Sequence, residues 1–262
     1  MCELLGLSFA KPVSASISIR SFAMRGEENA DGWGLAWYPD RSLAVVKEPI
    51  KWGASQHTGF LESYSRLVSS IYIAHVRHRT TGGEPTHADT HPFSRELAGR
   101  EYCFAHNGTL LGAFWELPLG RYHPVGKTDS EHMFCHILEE LAEKNSHLDS
   151  EGDWFWLHDK LVALNRQGRI NCMLTDGQRL CCYHDSAGWK GLTFSKVYVR
   201  GERVSHLEDE TLRIELEEDQ SVNHGFVVAT RPLSTKGWHT FEPSELLVLE
   251  GGMARFSTHR AT

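Results

Sequence analysis

The sequence lacks the features that would place the chain in a membrane or on a nucleic acid. It has no run of about 18 apolar residues, so no membrane-spanning helix is predicted. Its start has no basic stretch followed by an apolar one, so we predict no signal peptide and a cytoplasmic location. Acidic residues outnumber basic ones, 34 to 27, which gives a net charge of −7. A protein that binds nucleic-acid backbones would show a basic excess instead.

Cysteine is also scarce, since six cysteines in 262 residues are too few for a disulfide framework. We therefore expect free thiols. No internal repeat or low-complexity linker divides the chain. The composition, with 40% hydrophobic and 23% charged residues, is that of an ordinary globular protein. Together these properties predict a single domain over residues 1–262.

One cysteine has an unusual position. Cys2 follows Met1 and precedes an apolar run that predicts a buried strand. Removal of Met1 would leave a thiol and a free α-amine on the same residue, which is a nucleophile with its own base. The alternative is a structural cysteine that happens to come second, because buried cysteines are common. Cys2 alone does not distinguish the two interpretations.

Hydrophobic periodicity predicts an alternation of helices and strands that ends in a β-rich third. The predicted helices cover residues 14–24, with a cap at Ser14 or Ser16, 58–68, 128–144 and 154–166. Thr128 and Glu131 have the spacing of a capping box. The predicted strands cover residues 3–7, 33–38, 43–47, 70–76, 101–106, 170–175, 180–184, 192–199, 211–216, 225–230, 245–249 and 253–256.

Polar residues follow these elements at three places. Arg77 follows one strand, Asn107 and Gly108 follow another, and Asp129 opens the third helix. An arginine recognises a carboxylate with two hydrogen bonds. An asparagine amide beside a glycine N–H supplies two donors for one oxyanion. A carboxylate accepts from a cationic amine, so the set predicts a pocket for an α-amino acid head group beside an acyl-transfer centre.

Several motifs in this order are typical of one family. They are Met1-Cys2, NADGWGLAWY, IAHVRHRTTGG, THPF, FAHNG and TDSEH. With them the sequence resembles the class II glutamine amidotransferases, the N-terminal-nucleophile (Ntn) glutaminase domains of amidophosphoribosyltransferase and glucosamine-6-phosphate synthase. The resemblance covers nearly the whole chain and is greatest to the small stand-alone YafJ-like members. It implies an α+β fold, a four-layer αββα sandwich.

The resemblance also implies catalytic roles. Cys2 matches the N-terminal nucleophile, and Asn107 and Gly108 match the oxyanion hole. The implied reaction is attack of the thiolate on the γ-carbonyl of glutamine or another γ-glutamyl compound. Ammonia or an amine leaves, and water hydrolyses the γ-glutamyl thioester. No cofactor is implied.

Four further positions match residues that bind the substrate in the family. Arg77 matches the arginine that binds the α-carboxylate, with Thr80 beside it. Asp129 matches the acid that binds the α-ammonium. Arg25 matches an arginine that packs beside the nucleophile, although the following loop differs in length from that of some relatives.

The family's synthases consume the ammonia in a second domain, and we expect no such domain in this chain. A second function therefore stays open, in which the chain is an idle glutaminase subunit until a synthase partner acts in trans. The sequence also departs from relatives that begin Cys-Gly-Ile, because Glu3 and Leu4 follow the nucleophile here.

The same sequence features also have structural interpretations. Five histidines cluster near the polar loops, and we favour hydrogen-bonded site or core residues over a metal site; they are His75, His78, His87, His91 and His106. Cys181 and Cys182 are adjacent in a predicted strand, so their side chains should point to opposite faces rather than to one ion. Arg77 could form a structural ion pair, and Asp129 could interact with the helix dipole.

Overall fold

The computed structural model of the chain describes residues 2–24, 31–64, 67–77, 84–200, 203–204, 210–216 and 221–259. Its helices and strands follow one another in this order: β1 (Glu3–Ile17), α1 (Ile19–Met24), β2 (Gly32–Trp37), β3 (Ala44–Glu48), α2 (His57–Ser63), β4 (Val68–Arg77), β5 (Phe93–Leu97), β6 (Arg100–Leu110), α3 (Asp129–Glu143), α4 (Glu151–Asn165), β7 (Gly168–Thr175), β8 (Arg179–Tyr183), β9 (Thr193–Arg200), β10 (Arg203–Val204), β11 (Leu212–Leu216), β12 (Val222–Ala229), β13 (His239–Thr240), β14 (Leu246–Glu250) and β15 (Met253–Ser257).

The strands form two antiparallel sheets. In the first sheet the order is β10-β9-β12-β1-β4-β2-β3, with β11 beside the far end of β1 and β13 beside β9. In the second sheet the order is β15-β14-β8-β7-β6-β5. β1 lies at the centre of the first sheet, hydrogen-bonded to β4 and β12. β6 lies near the edge of the second sheet, between β5 and β7.

Three apolar layers hold the sheets and helices together. The middle layer lies between the two sheets and includes Leu4 and Ile73 of the first sheet and Met173 of the second. The outer face of the first sheet packs on α1 and α2, whereas the outer face of the second packs on α3 and α4. Side chains alternate between the two faces of a strand, so each sheet contributes to two layers. The result is the expected four-layer αββα sandwich.

The adjacent cysteines show this alternation directly. Cys181 packs in the layer beneath the helices, and Cys182 packs in the layer between the sheets. Their side chains point to opposite faces of β8, as predicted. Trp33 and Trp37 of β2 are likewise buried, on the outer face of the first sheet.

The prediction of a helix from Ser14 is wrong. Residues up to Ile17 continue β1, and the short helix α1 begins only at Ile19. The segment Val13–Ile17 pairs with β11, about 200 residues later in the chain, and its burial alternates with a period of two. Pro12 does not end the strand, because it lies at a register shift where β1 is not paired with β4.

Two other boundaries differ from the predictions. α2 ends at Ser63, and Val68 already belongs to β4. The segment Phe93–Leu97 forms β5, where no strand is predicted. α3 and α4 are confirmed as helices, and α3 has the predicted cap at Thr128. Among the helices of the described residues, none is long and apolar enough to cross a membrane.

The helix layer over the second sheet provides a test of the packing. Leu138 of α3 is fully buried in that layer. We expect Leu138→Ala to lower the free energy of unfolding by about 2–5 kcal/mol, because it removes a buried side chain and leaves a cavity. Urea denaturation measures this change. Val125→Ala, at a position 78% exposed, is the control and should change stability little. Equal effects of the two substitutions would contradict the packing.

Candidate functional site

The nucleophile candidate lies where the two sheets meet. Cys2 directly precedes β1, the central strand of the first sheet. Its carbonyl oxygen accepts a hydrogen bond of 3.0 Å from Asn107 Nδ2, which belongs to β6 of the second sheet. The structure therefore brings together two of the predicted catalytic residues, which are 105 positions apart in the sequence.

Cys2 differs from every other cysteine of the chain in its accessibility. All six cysteines are free; Cys2 is half-buried and the other five are buried. Burial raises the pKa of Cys103 to about 12 and that of Cys135 to about 11. The thiolate is the nucleophilic form, so a raised pKa makes these thiols unreactive. Of the six thiols, that of Cys2 belongs to the one cysteine that is not buried.

The direction of the backbone N–H groups in β6 fits the predicted oxyanion hole. Leu111 donates its N–H to Gln167 O on the β7 side. Successive backbone N–H groups of a strand point alternately to its two sides in the plane of the sheet. The N–H of Leu111 points toward β7, so the N–H groups of Leu110 and Gly108 point away from β7. Leu110 indeed donates to Asp129 Oδ2 at 2.6 Å. The N–H of Gly108 therefore opens to the side of β6 where α3 begins.

Gly108 is a position where only glycine fits. A Cβ atom there would collide with the backbone oxygen of Arg169 and with the ring of His106. The His106 ring is held between Ser130 Oγ, 2.9 Å from Nδ1, and Arg169 O, 3.0 Å from Nε2. Burial lowers the pKa of His106, and nearby Asp129 partly opposes this shift. The imidazole thus ties β6 to both α3 and β7 at the oxyanion residues.

Asp129 is the first residue of α3, behind the Thr128 cap. Its Oδ1 accepts from the N–H of Ser130 at 2.9 Å, and its Oδ2 accepts from Leu110 N–H. The expected capping box is only half formed, because Thr128 accepts from Glu131 N while the Glu131 carboxylate binds Arg95 and Gly126. The acid predicted to bind an ammonium group is thus oriented by backbone donors.

Arg77 ends β4 beside the start of β1. Val76 pairs with Glu3 in the β1–β4 register, so the next pair along the strands is Arg77 with Cys2. Arg77 Nη1 is buried and has no hydrogen-bond partner in the part of the chain that the structure describes. A structural ion pair does not explain this nitrogen. A buried, unpaired guanidinium N–H is costly unless a ligand satisfies it.

Two neutral histidines lie next to this guanidinium. The rings of His75 and His91 are 4.3 Å apart between centroids, and both are buried. Burial, with the charge of nearby Arg77, lowers the pKa of His75 to about 3 and that of His91 well below its ordinary value. Both imidazoles are therefore uncharged near neutral pH, whereas the guanidinium of Arg77 carries a positive charge beside Cys2.

The histidines do not assemble as metal ligands within the described residues, where no group of three or more His, Cys, Asp or Glu side chains is placed to hold a metal. His106 is hydrogen-bonded, as the favoured interpretation expected. His75 and His91 are core residues whose ring nitrogens find no hydrogen-bond partner among the residues that the structure describes. His78, Thr80 and Arg25 lie outside the described residues, so their predicted roles stay predictions.

Sequence reasoning missed one residue of this region. Asn171 of β7 is the register partner of Asn107. Its Nδ2 donates to Trp189 O and Lys190 O, and its Oδ1 accepts from Asp185 N. The residue therefore fixes the loop after β8 beside the oxyanion strand. The available signal was a lone asparagine within an otherwise apolar buried strand.

With this geometry established, comparison with known proteins identifies the class. The family model for class II glutamine amidotransferases matches residues 1–262. The chain therefore belongs to the class II glutamine amidotransferases. The expected family, and the Ntn-type fold that goes with it, are confirmed.

Two curated relatives are similar over most of their length. An uncharacterized protein of Methanocaldococcus jannaschii is 40% identical over 263 residues, which is 100% of this chain and 73% of the relative. The Escherichia coli protein YafJ is 31% identical over 252 residues, which is 94% of this chain and 96% of YafJ.

Solved structures show the same fold. A predicted glutamine amidotransferase from Pseudomonas aeruginosa has a TM-score of 0.71 and 28% identity, covering 97% of this chain and 100% of that one. Glutamine phosphoribosylpyrophosphate amidotransferase from B. subtilis has a TM-score of 0.61 and 18% identity. The match covers 95% of this chain and 47% of the B. subtilis chain. At 18% identity, the similarity shows a shared fold and nothing more.

The close approach at Gly108 gives a testable consequence. We expect Gly108→Ala to lower the free energy of unfolding by about 1–3 kcal/mol, because the added methyl group must displace backbone and a held imidazole. Chemical denaturation measures the change. Gly53→Ala is the matched control, since a Cβ there meets nothing within 4 Å. Equal stability of the two variants would contradict the described geometry.

The accessibility of the thiols gives a second test. Native protein treated with iodoacetamide should carry one adduct, on Cys2, because the other five cysteines are buried. Peptide mapping by mass spectrometry locates the adduct. Cys2→Ser should abolish labelling in the folded protein, and denatured wild type should label at all six positions. Native labelling at Cys103 or Cys135 would contradict the burial described above.

Proposed function

We propose that the chain is an amidohydrolase that cleaves the γ-amide of glutamine or of a γ-glutamyl compound through a thioester on Cys2. The observation that carries this proposal is the 3.0 Å contact between Asn107 Nδ2 and Cys2 O. This contact holds the proposed oxyanion donor next to the residue that bears the proposed nucleophile. Membership of the class II glutamine amidotransferases supports the same chemistry.

Removal of Met1 is the first requirement, because it frees the α-amine of Cys2. The amine, through a water molecule, takes the proton of the thiol. The thiolate attacks the γ-carbonyl carbon, and a C–S bond forms. As the tetrahedral intermediate collapses, the C–N bond breaks and ammonia or an amine leaves with the proton. Water then attacks the thioester, the C–S bond breaks, and glutamate is released.

The negative charge of the tetrahedral intermediate requires donors that are already in place. Asn107 Nδ2 uses one hydrogen for Cys2 O, and an amide nitrogen carries a second. The N–H of Gly108 lies on the side of β6 that faces Asp129. These two donors form the proposed oxyanion hole, and neither needs to be released from a competing carbonyl of β7.

The substrate's head group finds opposite charges on the two sides of the site. Arg77, with an unpaired buried Nη1, binds the α-carboxylate. Asp129 binds the α-ammonium with the acceptor capacity that its backbone donors leave free, since a carboxylate offers about four lone-pair positions. Thr80 and Arg25 complete the proposed set of substrate-binding residues on the family match.

A subunit that stays idle until a synthase partner binds was the alternative. In the described part of the chain no feature favours it over hydrolysis by the chain alone. The proposal therefore places ammonia or amine release within this chain and leaves a partner as an outcome of the assay.

Loss of the oxyanion donor gives the decisive measurement. With glutamine as substrate, we expect Asn107→Ala to lower kcat about 10²- to 10³-fold, because one donor to the intermediate is lost. The assay measures ammonia release. The protein used is first shown by intact-mass measurement to lack Met1. Asn223→Ala is the control, because Asn223 is equally buried and also bridges backbone, at Lys11. Cys2→Ala should abolish turnover.

The proposal fails if wild type and Cys2→Ala turn over glutamine equally, or if Asn107→Ala loses no more activity than Asn223→Ala. A wild-type protein that is silent alone and becomes active with a second protein would support the idle-subunit alternative instead.

A further inference from the structure

A cleft lies along β6 and β7, beyond the Asn107–Asn171 pair. Its volume is about 890 Å³. Thr109, Leu111, Gln167, Arg169 and Trp189 contribute to its lining. The proposed reaction uses none of these side chains.

The cleft continues directly from the oxyanion strand. Thr109 lies two residues after Asn107, so both side chains are on the same face of β6. In the register, Asn107 pairs with Asn171 and Thr109 pairs with Arg169. The second pair is about 7 Å farther along the strands, at roughly 3.4 Å per residue. A substrate whose γ-carbonyl lies at Asn107 can therefore extend its amine portion into the cleft.

The far wall of the cleft is held rigidly. Asn171 binds the backbone of Trp189 and Lys190, as described above. The Asp185 carboxylate accepts from Asn165 Nδ2 and from three backbone N–H groups. Burial alone would raise the pKa of Asp185, but these hydrogen bonds hold it below its ordinary value. This carboxylate is committed to the loop, so it is a poor counter-ion for a neighbouring cation.

Two cations flank the indole of Trp189 without a counter-ion. Arg169 Cζ is 5.2 Å from the ring centroid, and Lys190 Nζ is 4.7 Å from it. In the described part of the chain, neither side chain forms a salt bridge or hydrogen bond. The whole chain is acidic, with a net charge of −7, whereas the surroundings of Trp189 carry two cations. Such a pair attracts an anionic group.

The lining of the cleft also contains an acceptor atom without a hydrogen-bond partner among the described residues. Gln167 Oε1 is buried and has no hydrogen-bond partner within the described residues. Most buried polar atoms are hydrogen-bonded, so an orphan acceptor in a cleft points to a ligand donor. A peptide N–H is such a donor. The lining thus offers an acceptor for an amide group and the cation of Arg169 for an anion, and Lys190 lies next to it at the Trp189 ring.

We propose that this cleft binds the leaving amine of a γ-glutamyl peptide, with the peptide's C-terminal carboxylate at Arg169 and Lys190. Two extended residues span about 7 Å, which matches the distance from the Asn107 pair to the Thr109 pair. The inference rests on the proposed function, since it names the substrate class for the same reaction. Glutamine, which releases only ammonia, leaves the cleft empty.

The test compares γ-glutamylglycylglycine with its C-terminal amide as substrates of the full chain lacking Met1. We expect kcat/KM for the acid to exceed that for the amide by about tenfold or more, because charge-assisted hydrogen bonds are lost with the carboxylate. Arg169→Gln and Lys190→Gln should bring this ratio close to one. The preference should also fall as salt is raised, because the cations are exposed.

Lys196→Gln is the matched control, since Lys196 also lies over an aromatic ring, that of Tyr198, at 5.6 Å. It should keep the wild-type ratio. A wild-type ratio near one, or an unchanged ratio in Arg169→Gln, overturns the inference while hydrolysis of glutamine still supports the proposed function.

If neither glutamine nor the peptides are hydrolysed, the proposed function fails. The proposal that the cleft binds a carboxylate is then tested by a binding measurement. Saturation-transfer NMR then compares glycylglycine with glycylglycine amide on wild type and Arg169→Gln. Contact of the acid with wild type that is lost in Arg169→Gln supports the cleft as a carboxylate site. Equal signals for acid and amide, or no signal, overturn it.

Discussion

The packing of two antiparallel sheets face to face is the constraint on which the site depends. The apolar layer between them includes Leu4 of the first sheet and Met173 of the second, and its packing fixes the position of β1 relative to β6. At the end of that layer the apolar contacts give way to one polar contact, from Asn107 Nδ2 to Cys2 O. Neither sheet alone holds both residues. This contact is therefore a property of the interface between the sheets, and a loss of packing there would separate Cys2 from Asn107.

Charge around this interface is arranged by burial. His75 and His91 are kept neutral because burial opposes their charged forms. The guanidinium of Arg77 lies beside Cys2, and its buried Nη1 has no hydrogen-bond partner among the described residues. Asp129 lies on the other side of β6, oriented by backbone N–H groups at the start of α3. A zwitterionic head group matches this separation of charges. The same strand pair, β6 with β7, continues into the cleft around Trp189, where the lining becomes cationic. One pair of strands thus carries both the proposed oxyanion residue Asn107 and the lining of the cleft.

Much of the fold could be predicted from local patterns. The caps and periodicity of α3 and α4 and most strands of the last third were recognisable because local signals agree with the final structure. The segment Val13–Ile17 was not, because Ser14 and Ser16 resemble helix caps and favour a helix there, although its alternation of serine and apolar residues has the period of a strand. Its strand partner β11 is about 200 residues away. Likewise, the side chain of Glu131 binds Arg95 and Gly126 rather than closing a capping box, because those long-range partners offer a charge and a backbone donor.

For the site, the amino-acid sequence by itself determined the family and the chemical identity of the candidate residues, because ordered motifs such as FAHNG and TDSEH specify side-chain types and spacing. Only the tertiary structure decided which groups meet. The Asn107–Cys2 contact, the tight approach at Gly108 and the anchoring of the Trp189 loop by Asn171 all join residues far apart in the chain. Register and sheet stacking establish such distances, and both depend on the sum of many weak apolar contacts that no single motif encodes.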